Sequence, residues 1–135
     1  MNWKRIFLRA AFIFGFVSLP CCGGEVGVLN PAFQPEIINQ TDNFSFQATG
    51  VTNVTQTLQF TWQNTGTQAN VNQATVLTAG TATLTIRDAA GTQVYTRNLT
   101  DNGTFQTTSS ATGGWSIQVV LTSVRGTLNF RVQRP

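Results

Sequence analysis

Ala82-Thr83-Leu84-Thr85-Ile86-Arg87-Asp88-Ala89-Ala90-Gly91-Thr92-Gln93-Val94-Tyr95 is the stretch on which the fold turns. Ala82, Leu84 and Ile86 alternate with Thr83, Thr85 and Arg87. A period of two gives an extended strand one apolar and one polar face. Asp88 then opens a short loop in which Gly91 supplies a positive φ, and a weaker extended run follows over 92–99. The stretch predicts a β-hairpin, half covered.

The same alternation recurs on both sides of it. Phe44, Phe46 and Ala48 form one run, and Leu58, Phe60 and Trp62 another. Toward the C-terminus come Trp115, Ile117, Val119 and Leu121, then Leu128, Phe130 and Val132. Weaker runs cover 69–77 and 104–109. Asn102-Gly103 and Arg125-Gly126 read as further hairpin turns, the second joining the last two strands, and Gly113-Gly114 leads into the strand of Trp115. No proline interrupts the chain between Pro35 and Pro135. The expectation is an all-β domain over 42–135: a single antiparallel β-sandwich of seven or eight strands.

The segments Ala82 to Tyr95, Gly113 to Leu121 and Gly126 to Val132 resemble those of small bacterial immunoglobulin-like and fibronectin-like sandwiches. Similar strand–Asp-x-x-Gly–strand hairpins occur in C-terminal domains of secreted bacterial proteins and in pre-peptidase C-terminal domains. The resemblance covers about residues 80–133 and implies the sandwich fold. Calcium sites known in some of those domains do not carry over, because the acids here are not clustered, and the chain has no immunoglobulin Cys…Trp…Cys pattern.

The N-terminus carries a different signal. Lys4, Arg5 and Arg9 precede the apolar run from Ala10 to Leu19, the form of a helical secretory signal peptide. Such a run is too short for a membrane span of about 20 residues. Leu19-Pro20-Cys21-Cys22-Gly23-Gly24 resembles the lipobox of bacterial lipoproteins. That pattern favours Cys22 as the lipidated residue, with Leu19 three places before it; Cys21 departs from the small residue usual just ahead of the acceptor. Cys21 as acceptor fits worse, since Pro20 would precede the cut. Simple cleavage of the leader is the other reading. The resemblance implies a signal peptide over 1–21, then a lipidated, palmitate-type N-terminus and a tether over 22–41, and a place in the bacterial cell envelope. Gly23 lacks the Asp that commonly retains such proteins at the inner membrane, so the outer membrane is favoured if the cell has one. Phe33, Ile37 and Ile38 are apolar for a spacer and read as a lead-in strand packed on the domain.

Composition narrows function. The formal charge is +3, but the three leader cations account for it. Beyond residue 20, five arginines stand against five acids, scattered along the chain. Nucleic acid, which needs clustered basic charge, is therefore not expected as a partner. From Cys22 onward there is no His, Lys or Met. The residues that usually supply nucleophiles, general bases and metal ligands are thus nearly absent, and no enzyme, cofactor or metal site is expected. Thr, Gln, Asn and Ser fill the polar positions instead. Asp88 and Asp101 read as turn formers. Trp62 and Trp115 fall on inward faces, whereas Tyr95 and Phe105, on weaker strands, are the candidate exposed aromatics for contact with a ligand. The sequons at Asn43, Asn53, Asn98 and Asn102 suit a eukaryotic secretory route, against which the leader argues. The expected function is a lipid-anchored, non-enzymatic module that binds or scaffolds an envelope protein or glycan. The alternative is a secreted or surface carbohydrate-binding, adhesin-like module.

Overall fold

A computed structural model describes Leu29, Phe33 and residues 35–135. The leader, Cys21 and Cys22 lie outside the described residues. Among the described residues seven strands form one antiparallel sheet: β1 (Glu36–Gln40), β2 (Asn43–Asn64), β3 (Asn70–Gln73), β4 (Val76–Arg87), β5 (Gln93–Asn98), β6 (Gly103–Gln106) and β7 (Gly113–Gln133). The order along one path is β1-β2-β7-β3-β6, while β4 joins β7 and carries β5 on its far side. No helix occurs among the described residues beyond a single 3₁₀ position at Phe33.

Two of the strands are unusually long, and the way they bend makes the core. At about 3.3 Å per residue, the 22 residues of β2 would span roughly 70 Å if straight. Instead the ends meet. The Asp42 N–H donates to Gln63 O at 2.9 Å, and the rings of Phe44 and Phe60 lie 5.2 Å apart. The bend is visible in the burial pattern, which steps by two through Phe44, Phe46 and Ala48, then by three through Val51 and Val54. Register against β7 slips at those same points.

Positive φ values mark the corner on all three strands that cross it: Gly50 and Asn53 on β2, Gly80 on β4, Ser123 and Gly126 on β7. At two of these positions glycine is required for space as well as for φ. A Cβ on Gly126 would meet Val76 O and lie 2.9 Å from Leu77 Cα, and one on Gly80 would collide with Ser123 O and Thr122 O. Both halves of the bent sheet turn their apolar side chains to one core, centred on Trp62, Trp115, Phe44, Phe46 and Phe130.

The hairpin of residues 82–95 forms as its sequence predicts, with Gly91 at φ 84° and its N–H donating to Asp88 O at 3.0 Å. The two other turn readings are corrected. Arg125-Gly126 makes no hairpin, because the runs on either side of it are one strand, β7, whose corner residue Gly126 pairs with Leu77. Asn102-Gly103 precedes β6, but β5 and β6 do not pair. β5 stays on β4, while β6 goes to β3.

The lead-in strand is present as β1, paired along its whole length with β2. Leu29 and Phe33 pack against the core, yet Ile37 and Ile38 do not. They are 46% and 47% exposed, since β1 lies beyond the core's edge.

Candidate binding surfaces

Alternation places every second residue of a strand on the outside, so the sheet register decides which polar groups become neighbours. Across five adjacent strands the outward residues Gln40, Asn43, Gln133, Asn70 and Gln106 fall into one row. All five are amides. The next row runs Ile38, Ser45, Arg131, Asn72 and Thr104, and Gln47 lies opposite Asn129 in the third. Side chains brace the face: Gln133 Nε2 donates to Asn43 Oδ1 at 3.0 Å and Asn72 Nδ2 to Thr104 Oγ1 at 2.9 Å. The result is a mostly uncharged surface of donors and acceptors, with the Arg131 guanidinium near its middle and the Glu36 carboxylate, opposite Gln47, at its β1 border. Each group can exchange a water for a ligand hydrogen bond without desolvating a charge, which is the costly case.

The aromatic candidates go elsewhere. Trp62 and Trp115 are fully buried, as their alternation requires, and pack edge to face with centroids 6.0 Å apart. Tyr95 is not exposed, which corrects the sequence reading. β5 carries an extra residue where Ile86 pairs with Tyr95 but Arg87 pairs with Gln93. A bulge of this kind turns two consecutive side chains the same way, and Val94 and Tyr95 are both buried. The Tyr95 hydroxyl donates to Gln73 Oε1 at 2.5 Å, and Gln73 Nε2 donates to Asn98 O and Asp101 O. Burial pushes the Tyr95 phenol up, with Arg97 pulling it the other way. Phe105 is half-buried and carries the Arg97 guanidinium 3.9 Å from its ring centre, so the face a sugar would use is occupied by a cation.

The chain matches no protein-family model and no curated protein.

Two carboxylates are bound into the scaffold. Asp88 is buried, with Oδ1 accepting from the Ala90 and Thr92 N–H groups and Oδ2 from the Ser110 hydroxyl. It thereby fastens the β6–β7 connection to the β4–β5 turn. The Ser110 hydroxyl holds its carboxyl below the usual range; desolvation opposes this, and the Thr92, Ala111 and Ala90 N–H groups add to it.

Asp42 was not singled out by sequence reasoning. Its Oδ1 accepts from Thr65 N–H at 2.7 Å and its Oδ2 from Thr65 Oγ1 at 2.6 Å, with Arg134 Nη1 3.7 Å away. The Thr65 hydroxyl and N–H lower its carboxyl, more than Arg134 does. This ties the β1–β2 turn to the end of β2 and to the C-terminus. Neither acid is paired with another, and among the described residues no group of three His, Cys, Asp or Glu side chains comes together.

The Asp88 network sets an expected pH response. A carboxyl whose folded-state pKa is depressed contributes stability above its unfolded value, about 3.9, and loses it as pH falls through the folded value. Melting temperature should therefore drop more steeply between about pH 5 and pH 2 for the wild type than for Asp88→Asn. Ser110→Ala should fall between the two. Parallel curves for wild type and Asp88→Asn would remove Asp88 as the acid-sensitive latch; the slope left in Asp88→Asn belongs in part to Asp42.

Proposed function

We propose that the chain is a lipid-anchored bacterial envelope protein whose domain binds or scaffolds another envelope component without performing chemistry. The doubled, seven-stranded sheet is, on this reading, a small immunoglobulin-like sandwich, and Cys22 is the acylated residue. The observation that carries the binding role is the five-strand amide face, because a braced, neutral array of hydrogen-bonding groups suits a docked partner and holds no reactive group. The anchor rests on the basic start, the apolar run and the Leu19-to-Cys22 pattern. Two or three acyl chains, at roughly 0.8 kcal/mol per buried methylene, give a stable hold where one is marginal.

A partner engaged by hydrogen bonding is favoured over a glycan held by stacking. Trp62, Trp115 and Tyr95 are buried and Arg97 lies over the Phe105 ring, so none of these four offers a free stacking platform. Metabolic labelling with an alkyne fatty acid tests the anchor. Label on the wild type and its loss in Cys22→Ala support it; no label, or label that persists in Cys21→Ala/Cys22→Ala, removes the anchor.

A further inference from the structure

We propose that the outer edge of β1 is a self-association edge, to which a second copy of this chain adds its own β1 in antiparallel orientation. This goes beyond the binding role above and does not depend on the anchor.

Among the described residues β1 is the terminal strand of its path and pairs with β2 alone. All five of its residues are exposed, and Ile37 and Ile38 are two of the four exposed large apolar side chains among the described residues. Being adjacent in a strand, they lie on opposite faces, so neither side of this edge is shielded by polar groups alone. Natural sheets blunt such edges with lysine, inward charges, bulges or a covering segment. Of such guards β1 has its shortness and the one charge of Glu36; among the described residues it carries no lysine, proline or bulge, and none pairs with its outer side.

Two other edges are guarded, while the first part of β4, from Val76 to Thr81, pairs with β7 only. Along the second half of β2, Leu29 N–H donates to Gln56 Oε1, Asn39 Nδ2 to Thr61 O and Asp42 N–H to Gln63 O. On β5, Val94 O accepts from Thr108 N–H at 3.2 Å, and Arg97 lies across Phe105 of β6.

The sequence of β1 favours a copy of itself. With the two strands antiparallel and centred on Ile38, all five residues pair. Ile38 meets the partner's Ile38, Ile37 meets the partner's Asn39, and Glu36 meets the partner's Gln40. The single charge of the strand thus faces an amide that can donate to it. A parallel copy would bring the two Glu36 side chains side by side, where like charges repel. The antiparallel arrangement is also two-fold symmetric, so it closes at a dimer instead of growing into a filament. A five-residue edge is smaller than the roughly 1,200–2,000 Å² of a stable interface, so the dimer is weak and concentration-dependent.

Sedimentation of the full chain in detergent, over a concentration series, should show a reversible monomer–dimer equilibrium. Ile38→Lys should weaken it about tenfold or more, and Asn39→Pro should do likewise, both with unchanged β-sheet circular dichroism. In a Cys21→Ala/Cys22→Ala background, Ile38→Cys should form an intermolecular disulfide, because directly opposed Cα atoms lie about 4.5–5.5 Å apart, within disulfide reach. Val120→Cys, exposed on another face of the sheet, should not. A wild type that stays monomeric throughout, a dimer indifferent to Ile38→Lys, or equal crosslinking through Val120→Cys would each overturn the proposal. Fatty-acid labelling is read separately, so failure of the anchor leaves this result standing.

Discussion

Gly126→Ala should cost roughly 3–5 kcal/mol and lower the melting temperature by about 12 °C or more. Two costs add at this position. Its φ of 134° lies in a region essentially reserved for glycine. The new methyl would also press on Val76 O and Leu77 Cα, which are backbone atoms of β4 and cannot rotate away. Gly80→Ala should behave similarly, since its methyl would meet backbone oxygens of Thr122 and Ser123. Gly50→Ala and Gly91→Ala are the controls. Both glycines have positive φ, at 62° and 84°, but open space where the methyl would go. They should show only the conformational part, about 1 kcal/mol. Chemical denaturation of the four variants separates the costs. If Gly126→Ala unfolds no more easily than Gly91→Ala, the close approach of β4 to β7 is not what shapes the corner.

That contact also marks where the sequence stops being legible. The hairpin from Ala82 to Tyr95 could be read because its turn, its alternation and its pairing are all local. The corner could not. Gly126 between two alternating runs looks the same whether it closes a hairpin or lets another strand's backbone approach, and its neighbour Leu77 is far away in sequence. Likewise the runs ending at Ala48 and starting at Leu58 read as two strands, because the three-residue steps at Val51 and Val54 break the period that identifies a strand. Their union into β2 depends on β7 bending alongside.

The candidate surfaces divide in the same way. That Trp62 and Trp115 would be buried followed from parity alone. Tyr95 was misjudged because one extra residue in β5 reverses parity, and nothing in Gln93-Val94-Tyr95 announces a bulge. The amide row was half visible. Asn and Gln at the outward positions of 43–47 and 129–133 show in the alternation, but bringing Asn70 and Gln106 into line with them requires the register of β3 and β6 on β7.

Replacing either buried tryptophan by alanine should destabilise the fold by about 3–5 kcal/mol, a large share of the roughly 5–15 kcal/mol a domain of this kind possesses. Trp62 and Trp115 sit directly opposite each other on β2 and β7, fully buried, with their ring planes at 88°. Each indole also holds a segment outside the pair. Trp62 Nε1 donates to Gln40 O at 3.0 Å and so fixes the end of β1; Trp115 Nε1 donates to Ala111 O at 2.7 Å and fixes the β6–β7 connection. Leucine variants keep more of the volume and allow a double-mutant cycle, in which the pair should cost less than the sum of the singles by about 0.5–1.5 kcal/mol. Phenylalanine variants separate the two tethers. Trp62→Phe should speed amide hydrogen exchange in residues 36–40, and Trp115→Phe should speed it in 107–112, each leaving the other segment protected. Equal loosening of both segments by both variants would mean that the ring packing alone matters. The local result would show that one aromatic pair secures both the free edge of the sheet and the connection into its longest C-terminal strand.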